Sequence, residues 1–371
     1  MDKRVIEELI KWPIIEQETI DKCVDYLNSG KISISSGDVL DEFESNFSKF
    51  VNIKHCLLHN NGTSALFAAY YALGLQAGDY VMVPNFTWTA TVTPLLPLGL
   101  IPVFCDVDYS LNISVEDMEK KYSKKVKAVV VVHMWGNPCD MHKILQFVKK
   151  YNLYLIEDCS HAHGATFQGK QVGSFGDISC FSMQATKILP GGELGIAVTN
   201  CYEYYAKMIK LGQQGRINSL LINENAIGGL GYKFRPFPLA VIIANDQLKK
   251  LKYTNNVRRM MAQVLEDKMN TNSSVKVIEK NPDSERVYYS YVFEYVGNDN
   301  INEVINRCNK KNIPLSKMRY NLISDVEPFT IYKAETPIIK SQINNLLMID
   351  MFNKSDKLVI EELSEELNSL V

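Results

Sequence analysis

Short runs of β-branched and other apolar residues alternate with helix-like stretches through the first half of the chain. These runs predict strands at 55–58, 80–83, 101–106, 126–133, 153–157, 178–183 and 194–199. The stretches between them predict helices, among them 64–75, 89–98, 139–151 and 202–211. Val129 to Val132 form an unbroken apolar run, which is typical of a strand buried on both faces. The pattern therefore predicts an α/β fold, with a mostly parallel sheet sandwiched by helices.

The pattern changes after Pro238, where longer and more polar helices are predicted. Two helices are expected at 239–251 and 255–269, separated by a break at 252–254. A lone β-prone segment follows at 287–296, then a helix at 302–311 and a closing helix at 356–371. We therefore expect a large domain over residues 1–250 and a smaller C-terminal α+β domain over residues 251–371.

The composition limits the class of protein. The chain has 371 residues, of which 40 are Lys or Arg and 42 are Asp or Glu, so the formal net charge is −2. This balance argues against a protein that binds nucleic acids or other polyanions broadly. No apolar run is long enough to span a membrane, and the charged N-terminus does not resemble a signal peptide. We expect a cytoplasmic protein whose eight cysteines, which include no C-x-x-C pair, are reduced.

The segment NNGTS at 60–64 follows a predicted strand and opens a predicted helix. The free N–H groups of a helix start, together with the hydroxyls of Thr63 and Ser64, are suited to bind a phosphate. The alternative is an ordinary cap, in which Thr63 or Ser64 satisfies the helix start and no ligand is bound. Taken alone, the segment favours the cap, because caps are far more frequent than phosphate sites.

A carboxylate, Asp158, follows the apolar strand predicted at 153–157. An acid at the end of a buried strand is costly without a partner, so we expect Asp158 to face a cation or a proton donor. Capping of a following helix is one alternative. Another is zinc, because Cys159, His161 and His163 would point the same way on a strand. No second Cys or His pair has ligand-like spacing, however, and we expect no metal.

Lys187 lies between the strand predicted at 178–183 and a glycine turn at 190–192. Most lysines are solvated surface charges, and that is the default interpretation here. Yet every other residue from 178 to 192 is uncharged. A lone ammonium in such surroundings tends towards a lowered pKa and a nucleophilic amine, which can form a covalent bond with a carbonyl carbon.

The three segments together supply the groups that pyridoxal phosphate requires. These are a phosphate anchor at 60–64, a carboxylate at Asp158 that keeps the pyridine nitrogen protonated, and a lysine at Lys187 that bonds to the cofactor. Trp88 follows another predicted strand and is placed to stack on the cofactor ring. A position in the core is an equally good interpretation of that tryptophan.

At these residues the chain resembles the DegT/DnrJ/EryC1/StrS family, the sugar aminotransferases among the fold-type I pyridoxal phosphate enzymes. The resemblance runs from about Ser35 to Leu251 and weakens in the C-terminal third. Its markers are NGTSAL at 61–66, GDYV at 78–81, PNFTW at 84–88, PVFCDVD at 102–108, VHMWG at 132–136, EDCSHAHG at 157–164 and SMQATKILPGGELG at 182–195. So many matches in order are far more specific than any one of them.

The resemblance implies a role for each matching position. It makes Lys187 the residue that bonds to the cofactor and Asp158 the partner of the pyridine nitrogen. Phosphate contacts are implied for Gly62, Thr63, Ser64 and Ser182, ring stacking for Trp88, a place near the other ring face for Ser160, and a contact with the ring hydroxyl for His161. The second histidine, His163, is expected to be structural.

The chain departs from the family pattern at three places. GYKFR at 231–235 stands where the family usually has Gly-x-Asn-x-Arg, whose Asn reaches the phosphate site of the neighbouring subunit. Lys233 would take that role as a point charge. MQA at 183–185 resembles the form found in cyclitol and related aminotransferases, and 346–350 lacks the usual segment rich in Leu and Pro. These departures bear on the substrate more than on the cofactor.

The resemblance implies transfer of an amino group from L-glutamate, or L-glutamine, to a keto-sugar. The sugar is expected to be nucleotide-linked and to serve the synthesis of a surface polysaccharide or glycoconjugate. One alternative acceptor is a cyclitol or an antibiotic-precursor ketone. An alternative of another class is a non-catalytic regulatory protein that binds the cofactor, although no helix-turn-helix segment is evident. Related dehydratases have His in place of the lysine, so Lys187 favours transamination.

The family further implies a homodimer with the active site at the subunit interface. The loop at 228–235 would then cross into the site of the partner.

Overall fold

Three β-sheets and eleven α-helices make up the part of the chain that the computed structural model describes, residues 1–33, 39–213, 215–216 and 230–371. The strands are β1 (His55–His59), β2 (Tyr80–Pro84), β3 (Ile101–Cys105), β4 (Val126–Val132), β5 (Tyr154–Asp158), β6 (Thr166–Phe167), β7 (Lys170–Gln171), β8 (Ile178–Ser182), β9 (Gly195–Thr199), β10 (Val275–Val277), β11 (Ser284–Glu285), β12 (Tyr291–Tyr295), β13 (Leu315–Lys317) and β14 (Leu346–Ile349). The helices are α1 (Lys3–Ile10), α2 (Gln17–Asn28), α3 (Val39–Val51), α4 (Gly62–Ala72), α5 (Val115–Lys121), α6 (Met141–Tyr151), α7 (Tyr202–Gly212), α8 (Pro238–Met269), α9 (Ile301–Lys310), α10 (Pro337–Gln342) and α11 (Lys357–Leu370).

The large sheet has the strand order β1-β9-β8-β5-β4-β2-β3. Strands β8, β5, β4, β2 and β3 pair in parallel, whereas β9 is antiparallel to both of its neighbours. Because β9 is antiparallel both to β8 and to β1, β1 runs in the same direction as the parallel strands. All seven strands predicted for the first half are present within one residue at each end, and the prediction of a mostly parallel sheet is confirmed.

Helices cover both faces of this sheet, because side chains alternate along each strand. In β4, Ala128 and Val130 belong to a core cluster with α4 and α7, whereas Val129 and Val131 belong to one with α5 and α6. A further cluster joins β8 and β9 to α3 and the start of α8. The apolar run in β4 is therefore buried on both faces, as its sequence predicts.

The C-terminal part contains an antiparallel sheet in the order β10-β12-β14-β13. Its core includes residues from the end of α8, from α9 and from α11, and it also takes Ile6 and Leu9 of α1. The β-prone segment at 287–296 thus contains β12, but it is not a lone strand as predicted, because β10 and β14 flank it. The N-terminal helix packs on the C-terminal part of the chain.

Two helix predictions are wrong. Residues 89–98 contain two short 3-10 helices, Thr89–Thr91 and Thr93–Leu95, because Pro94 and Pro97 lack the N–H groups that an α-helix requires. The break predicted at 252–254 is absent, since α8 runs without interruption for 32 residues. No Gly or Pro stands at 252–254, and the Thr254 hydroxyl donates back to the Lys250 carbonyl within the helix.

Candidate active site

A cavity of about 940 Å³ opens at the carboxyl ends of the parallel strands, the edge where open α/β sheets bind ligands. Of the residues predicted from the sequence, Gly62, Thr63, Trp88, Asp158, Ser160, His161, Ser182 and Lys187 line it. Ser64 and Lys233 do not. Four separate strand ends thus bring eight predicted residues to one place.

The first turn of α4 forms one wall of the cavity. The Asn61 Oδ1 atom accepts a hydrogen bond from the Ser64 N–H at 2.8 Å, so Asn61 is the helix cap and the alternative that named Thr63 or Ser64 is wrong. The N–H groups of Gly62 and Thr63 have no acceptor inside the helix. Ser64 itself is buried, and its N–H is already used by the cap.

Gly62 brings this helix start against β8. A Cβ atom at residue 62 would lie only 2.7 Å from the Ser182 Cβ, which real Cβ contacts do not allow. Glycine therefore permits the first turn of α4 and the Ser182 side chain to meet. Free N–H groups, a serine hydroxyl and the positive end of a helix together form an anion site.

Asp158 ends β5 with only 4% of its surface exposed. The Thr91 hydroxyl donates to its Oδ2 atom at 2.8 Å, and the Ser160 N–H donates to its Oδ1 atom at 3.1 Å. Proton donors, as predicted, therefore stabilise and orient the carboxylate. The residues directly after Asp158, 159–165, form turns and not a helix, which excludes the interpretation of Asp158 as a helix cap.

The neighbouring acid, Glu157, points away from the cavity wall and is fully buried. Its carboxylate accepts hydrogen bonds from the N–H groups of Gly173, Phe175 and Gly176, from the Ser179 hydroxyl and from the His133 ring. Burial alone would raise the pKa of Glu157, but the hydrogen bonds from His133 and the loop outweigh it and hold the pKa below its ordinary value. Glu157 anchors the loop between β7 and β8.

A cluster of three potential metal ligands, which includes Glu157, lies behind the cavity wall. In the ranges that the structure describes, His133, Glu157 and Cys159 form the group of potential ligands whose atoms lie within 4.8 Å of one another. The His133 Nδ1 atom accepts from the Cys139 N–H at 3.1 Å, so its Nε2 atom carries the proton that Glu157 accepts. Burial raises the pKa of the Cys159 thiol well above its ordinary value. Both histidine nitrogens are thus engaged within the protein.

The zinc alternative rested on Cys159, His161 and His163 lying on one strand. Strand β5 ends at Asp158, and the next residues form turns, so the three side chains do not alternate as proposed. His163 is fully buried against Phe181 and does not line the cavity.

Lys187 lies in the turn after β8, with its Nζ atom 4.8 Å from the centroid of the Tyr289 ring. Burial lowers the pKa of Lys187 to about 8, and the negative charge of Asp158 opposes this only in part. The uncharged neighbours of Lys187 in the sequence predict this lowering of its pKa. Near neutral pH the amine is therefore unprotonated far more often than that of a surface lysine.

Aromatic rings from both halves of the chain form another part of the cavity wall. The His161 ring stacks on Tyr289, with centroids 4.4 Å apart and planes within 8°, and its Nε2 atom lies 3.3 Å from the Tyr320 hydroxyl. Burial, with a smaller effect of Lys187, lowers the pKa of His161 well below its ordinary value, so the imidazole is neutral. Its buried Nδ1 atom has no partner in the described part of the chain, which leaves it free for a ligand.

Trp88 stands at the edge of the same wall. It is 56% exposed, and its ring lies 5.7 Å from that of Tyr320. The alternative of a core tryptophan is therefore wrong, and one ring face is available to a ligand.

Several further residues that line the cavity were not predicted from the sequence. Ile10 and Trp12 come from the N-terminus, and Arg258, Tyr289, Ser290, Arg319, Tyr320 and Asp350 come from the later part of the chain. The aromatic run YYSY at 288–291 was the signal in the sequence that could have pointed to Tyr289 and Ser290. Nothing in the local pattern marks Trp12 or Arg258.

Lys233 is exposed and lies outside this cavity. The Asn60 side chain donates to its main-chain carbonyl at 3.5 Å. Residues 228 and 229 of the predicted crossing loop, like Ser35 at the start of the matching region, fall outside the described residues.

An anion site beside a lysine of lowered pKa, with a carboxylate held by proton donors, suits a ligand that carries a phosphate, an aldehyde and a ring nitrogen. Pyridoxal phosphate has these three groups, and the geometry defines an enzyme of the class that uses it. The chain belongs to the DegT/DnrJ/EryC1/StrS aminotransferase family, whose model matches residues 13–354. It is an aminotransferase, and the family and the site both indicate pyridoxal phosphate as the cofactor.

The chain is similar to named proteins of this family. It is 36% identical over 250 residues to the GDP-perosamine synthase of Vibrio cholerae, a match that covers 67% of this chain and 66% of that protein. It is 31% identical over 299 residues to the L-glutamine:2-deoxy-scyllo-inosose aminotransferase of Streptomyces kanamyceticus, covering 76% and 69%. The aminotransferase structure from Psychrobacter cryohalolentis superimposes with a TM-score of 0.90 at 26% identity, over 97% of this chain and 98% of that one. This likeness confirms the predicted fold.

Within the described ranges, none of the helices combines the length and the apolar character that a membrane span requires.

Proposed function

We propose that this aminotransferase moves the amino group of L-glutamate, or of L-glutamine, to a keto-sugar, expected to be nucleotide-linked, in polysaccharide or glycoconjugate biosynthesis. The observation that carries the proposal is the position of Lys187. Its amine, of lowered pKa, faces a cavity of about 940 Å³ that also presents Asp158 and the first turn of α4. That volume holds both a cofactor and a second small molecule.

The residues present fit the cofactor. The N–H groups of Gly62 and Thr63 and the Ser182 hydroxyl would hold its phosphate. Asp158 would pair with the ring nitrogen, and the free Nδ1 atom of His161 would meet the ring hydroxyl. Trp88 and Ser160 would lie near the ring faces. When bound, pyridoxal phosphate supplies the electron sink for the bond that breaks at the donor Cα.

The chain supplies positioning and proton transfer. Once the amino donor has displaced it, the Lys187 Nζ atom would take the proton from the donor Cα as a general base. A pKa of about 8 suits this role, because the amine is then both available and basic near neutral pH. Thr91 and Ser160 keep the Asp158 carboxylate aligned, since each donates a hydrogen bond to one of its two oxygens.

The remainder of the wall favours a polyhydroxylated acceptor. Glu193, Ser290 and Arg319 line the same cavity and offer polar groups beyond the predicted cofactor contacts. The two relatives named above act, by their names, in the formation of an amino sugar and on an inosose. A nucleotide-linked sugar would place its anionic part near Arg319.

A substrate screen tests this proposal. Purified enzyme with L-glutamate or L-glutamine is given nucleotide-linked keto-sugars in one series and 2-deoxy-scyllo-inosose in another, and the keto acid formed from the donor is measured, 2-oxoglutarate from glutamate or 2-oxoglutaramate from glutamine. We expect transfer to a nucleotide-linked keto-sugar. Transfer to the inosose alone would favour the cyclitol alternative, which the MQA segment at 183–185 supports. If neither amino donor supported transfer to any member of either series, both the keto-sugar proposal and the cyclitol alternative would be contradicted.

We also propose that the protein is a homodimer in which Lys233 serves the site of the partner. Lys233 lies on the surface, outside the cavity of its own chain. Ile20, Val24 and Leu27 recur at helical spacing on α2 and are 43%, 48% and 49% exposed. An apolar stripe of this kind is typical of a face that packs against another protein.

A further inference from the structure

Trp12 contacts the main chain of Lys187, although the two residues are 175 positions apart. Its indole N–H donates to the Lys187 carbonyl oxygen at 2.8 Å. Trp12 also lines the cavity, but nothing in the cofactor contacts described above requires it. The bond fixes the backbone of the reactive lysine from outside its own loop.

Arg258 holds Trp12 in place. Its guanidinium lies 5.3 Å from the centroid of the Trp12 ring, within the range of a cation–π contact. Arg258 is only 3% exposed, and its guanidinium donates to the Asn353 Oδ1 atom at 2.6 and 3.1 Å. Asn353 in turn donates to the carbonyls of Ile10 and Lys11 at 3.2 and 3.3 Å. The N-terminal segment is thereby tied to the C-terminal part of the chain.

Tyr289 holds the other side of Lys187. Its ring lies under the Lys187 ammonium at 4.8 Å, and its hydroxyl lies 3.0 Å from the Thr186 hydroxyl. The Tyr289 carbonyl accepts from Arg258 at 3.4 Å. Arg258 therefore contacts both aromatic residues that hold the lysine.

We propose that Trp12 is a positioning residue, which fixes the Lys187 backbone so that the Lys187 amine points towards its ligand in one orientation. Arg258 and Tyr289 support it. The inference rests on the proposed function, because it presumes that Lys187 performs the reaction. A displacement of about 1 Å in a reacting group can cost about 100-fold in rate, so one hydrogen bond to this backbone has a large effect. The N-terminal segment is on this view part of the catalytic apparatus.

Trp12→Phe tests the proposal, because it keeps an aromatic face for Arg258 and removes only the N–H donor. Acetic anhydride is applied to the apoprotein over a pH series, and acetylation of Lys187 is measured by peptide mass spectrometry. In the unaltered protein the midpoint should lie near pH 8. In Trp12→Phe we expect the midpoint of Lys187 acetylation to move to higher pH, since a lysine whose backbone is no longer held is better hydrated. With cofactor, kcat should fall by about fivefold or more, the effect of one lost hydrogen bond, with KM for the donor unchanged.

Tyr253→Phe is the matched control, since Tyr253 is 60% exposed on α8 and lies outside the cavity. It should leave the labelling midpoint, kcat and thermal midpoint unchanged. Tyr289→Phe, which loses only the hydroxyl near Thr186, is a second variant in case Trp12→Phe is poorly folded, and it should shift the labelling midpoint in the same direction.

Two results would overturn the inference. One is a labelling profile and kcat in Trp12→Phe that match the unaltered protein. The other is a lowered thermal midpoint with an unchanged labelling midpoint, which would mean a purely structural role. The proposed function fails separately, if the cofactor does not attach to Lys187 in the unaltered protein at all.

Discussion

At the scale of single residues, the Asp158 carboxylate accepts hydrogen bonds from Thr91 and Ser160 and lies in the cavity wall. Asp158→Asn should retain the cofactor, whose phosphate contacts are untouched, and should reduce kcat by about 100-fold or more. The neutral amide no longer favours a protonated ring nitrogen. Cofactor content from absorbance and kcat from 2-oxoglutarate formation check this.

Asp267→Asn, at an exposed position of α8 outside the cavity, is the control and should leave kcat unchanged. If Asp158→Asn turned over at the native rate, the role assigned to Asp158 would be wrong.

Single residues could be predicted from the sequence where they follow a strand. Asp158, Ser182 and Lys187 stand at or just after the ends of β5 and β8, and parallel strands end at one edge of a sheet. Trp12 and Arg258 could not be predicted, because only tertiary packing brings them to Lys187. The Asn61 cap was missed for a different reason, since the segment 60–64 offers several residues able to cap a helix.

At the scale of elements, the approach of α4 to β8 depends on Gly62. Gly62→Ala would place a Cβ atom 2.7 Å from the Ser182 Cβ, so the helix start must move away. We expect the dissociation constant of pyridoxal phosphate to rise by about tenfold or more, equivalent to about 1.4 kcal/mol. Equilibrium dialysis measures it.

Ser182→Ala is the companion variant, because it removes one hydroxyl donor and leaves the backbone in place. It should weaken cofactor binding less than Gly62→Ala does. An unchanged dissociation constant in Gly62→Ala would show that this junction does not hold the phosphate.

Glu157 fastens the loop 173–176 to β5, and its loss should destabilise the fold. Glu157→Gln should lower the free energy of unfolding by about 3 kcal/mol at pH 7, because it disrupts a buried hydrogen-bonded charge. Since the folded state holds the pKa of Glu157 below its ordinary value of 4.5, its contribution is present above that pH and is lost as the pH falls below it. The difference between the two proteins should therefore shrink in acid.

Urea unfolding at pH 7 and at low pH measures both effects. Glu119→Gln is the control, since Glu119 pairs with Lys150 at the surface and should change stability by less than about 1 kcal/mol. A Glu157→Gln protein of native stability at pH 7 would contradict the anchoring role.

Elements were predicted where their sequence signals are strong. The strands of the large sheet are short apolar runs, and each falls within a residue of its predicted bounds. Prolines at 94 and 97 turn a predicted helix into 3-10 turns, whereas polar residues at 252–254 fit inside α8 because its neighbours bury its apolar face. Propensity is a weak guide where packing decides.

At the scale of the whole molecule, one cavity draws on both ends of the chain. The predicted division between residues 1–250 and 251–371 falls within α8, and it stays a prediction, as does the cytoplasmic location. The C-terminal sheet could be foreseen only as one β-prone segment, because β10 and β13 are three residues long.

The proposed homodimer predicts complementation between two inactive variants. In a mixed dimer of Lys187→Ala and Lys233→Ala subunits, one site would combine an intact Lys187 with the partner's intact Lys233. Mixing and refolding the two should give more activity than the sum of the separate proteins. If Lys233 acts within its own chain, no mixed dimer contains a complete site and activity should not recover.

The covalent bond between Lys187 and the cofactor is the central claim, and reduction with borohydride tests it most directly. The purified protein is loaded with pyridoxal phosphate, reduced and digested, and its peptides are analysed by mass spectrometry. We predict that the reduced cofactor is attached to the peptide containing Lys187, and that the Lys187→Ala protein neither retains it nor transaminates. Attachment at another lysine, or a Lys187→Ala protein that transaminates at the native rate, would contradict the account.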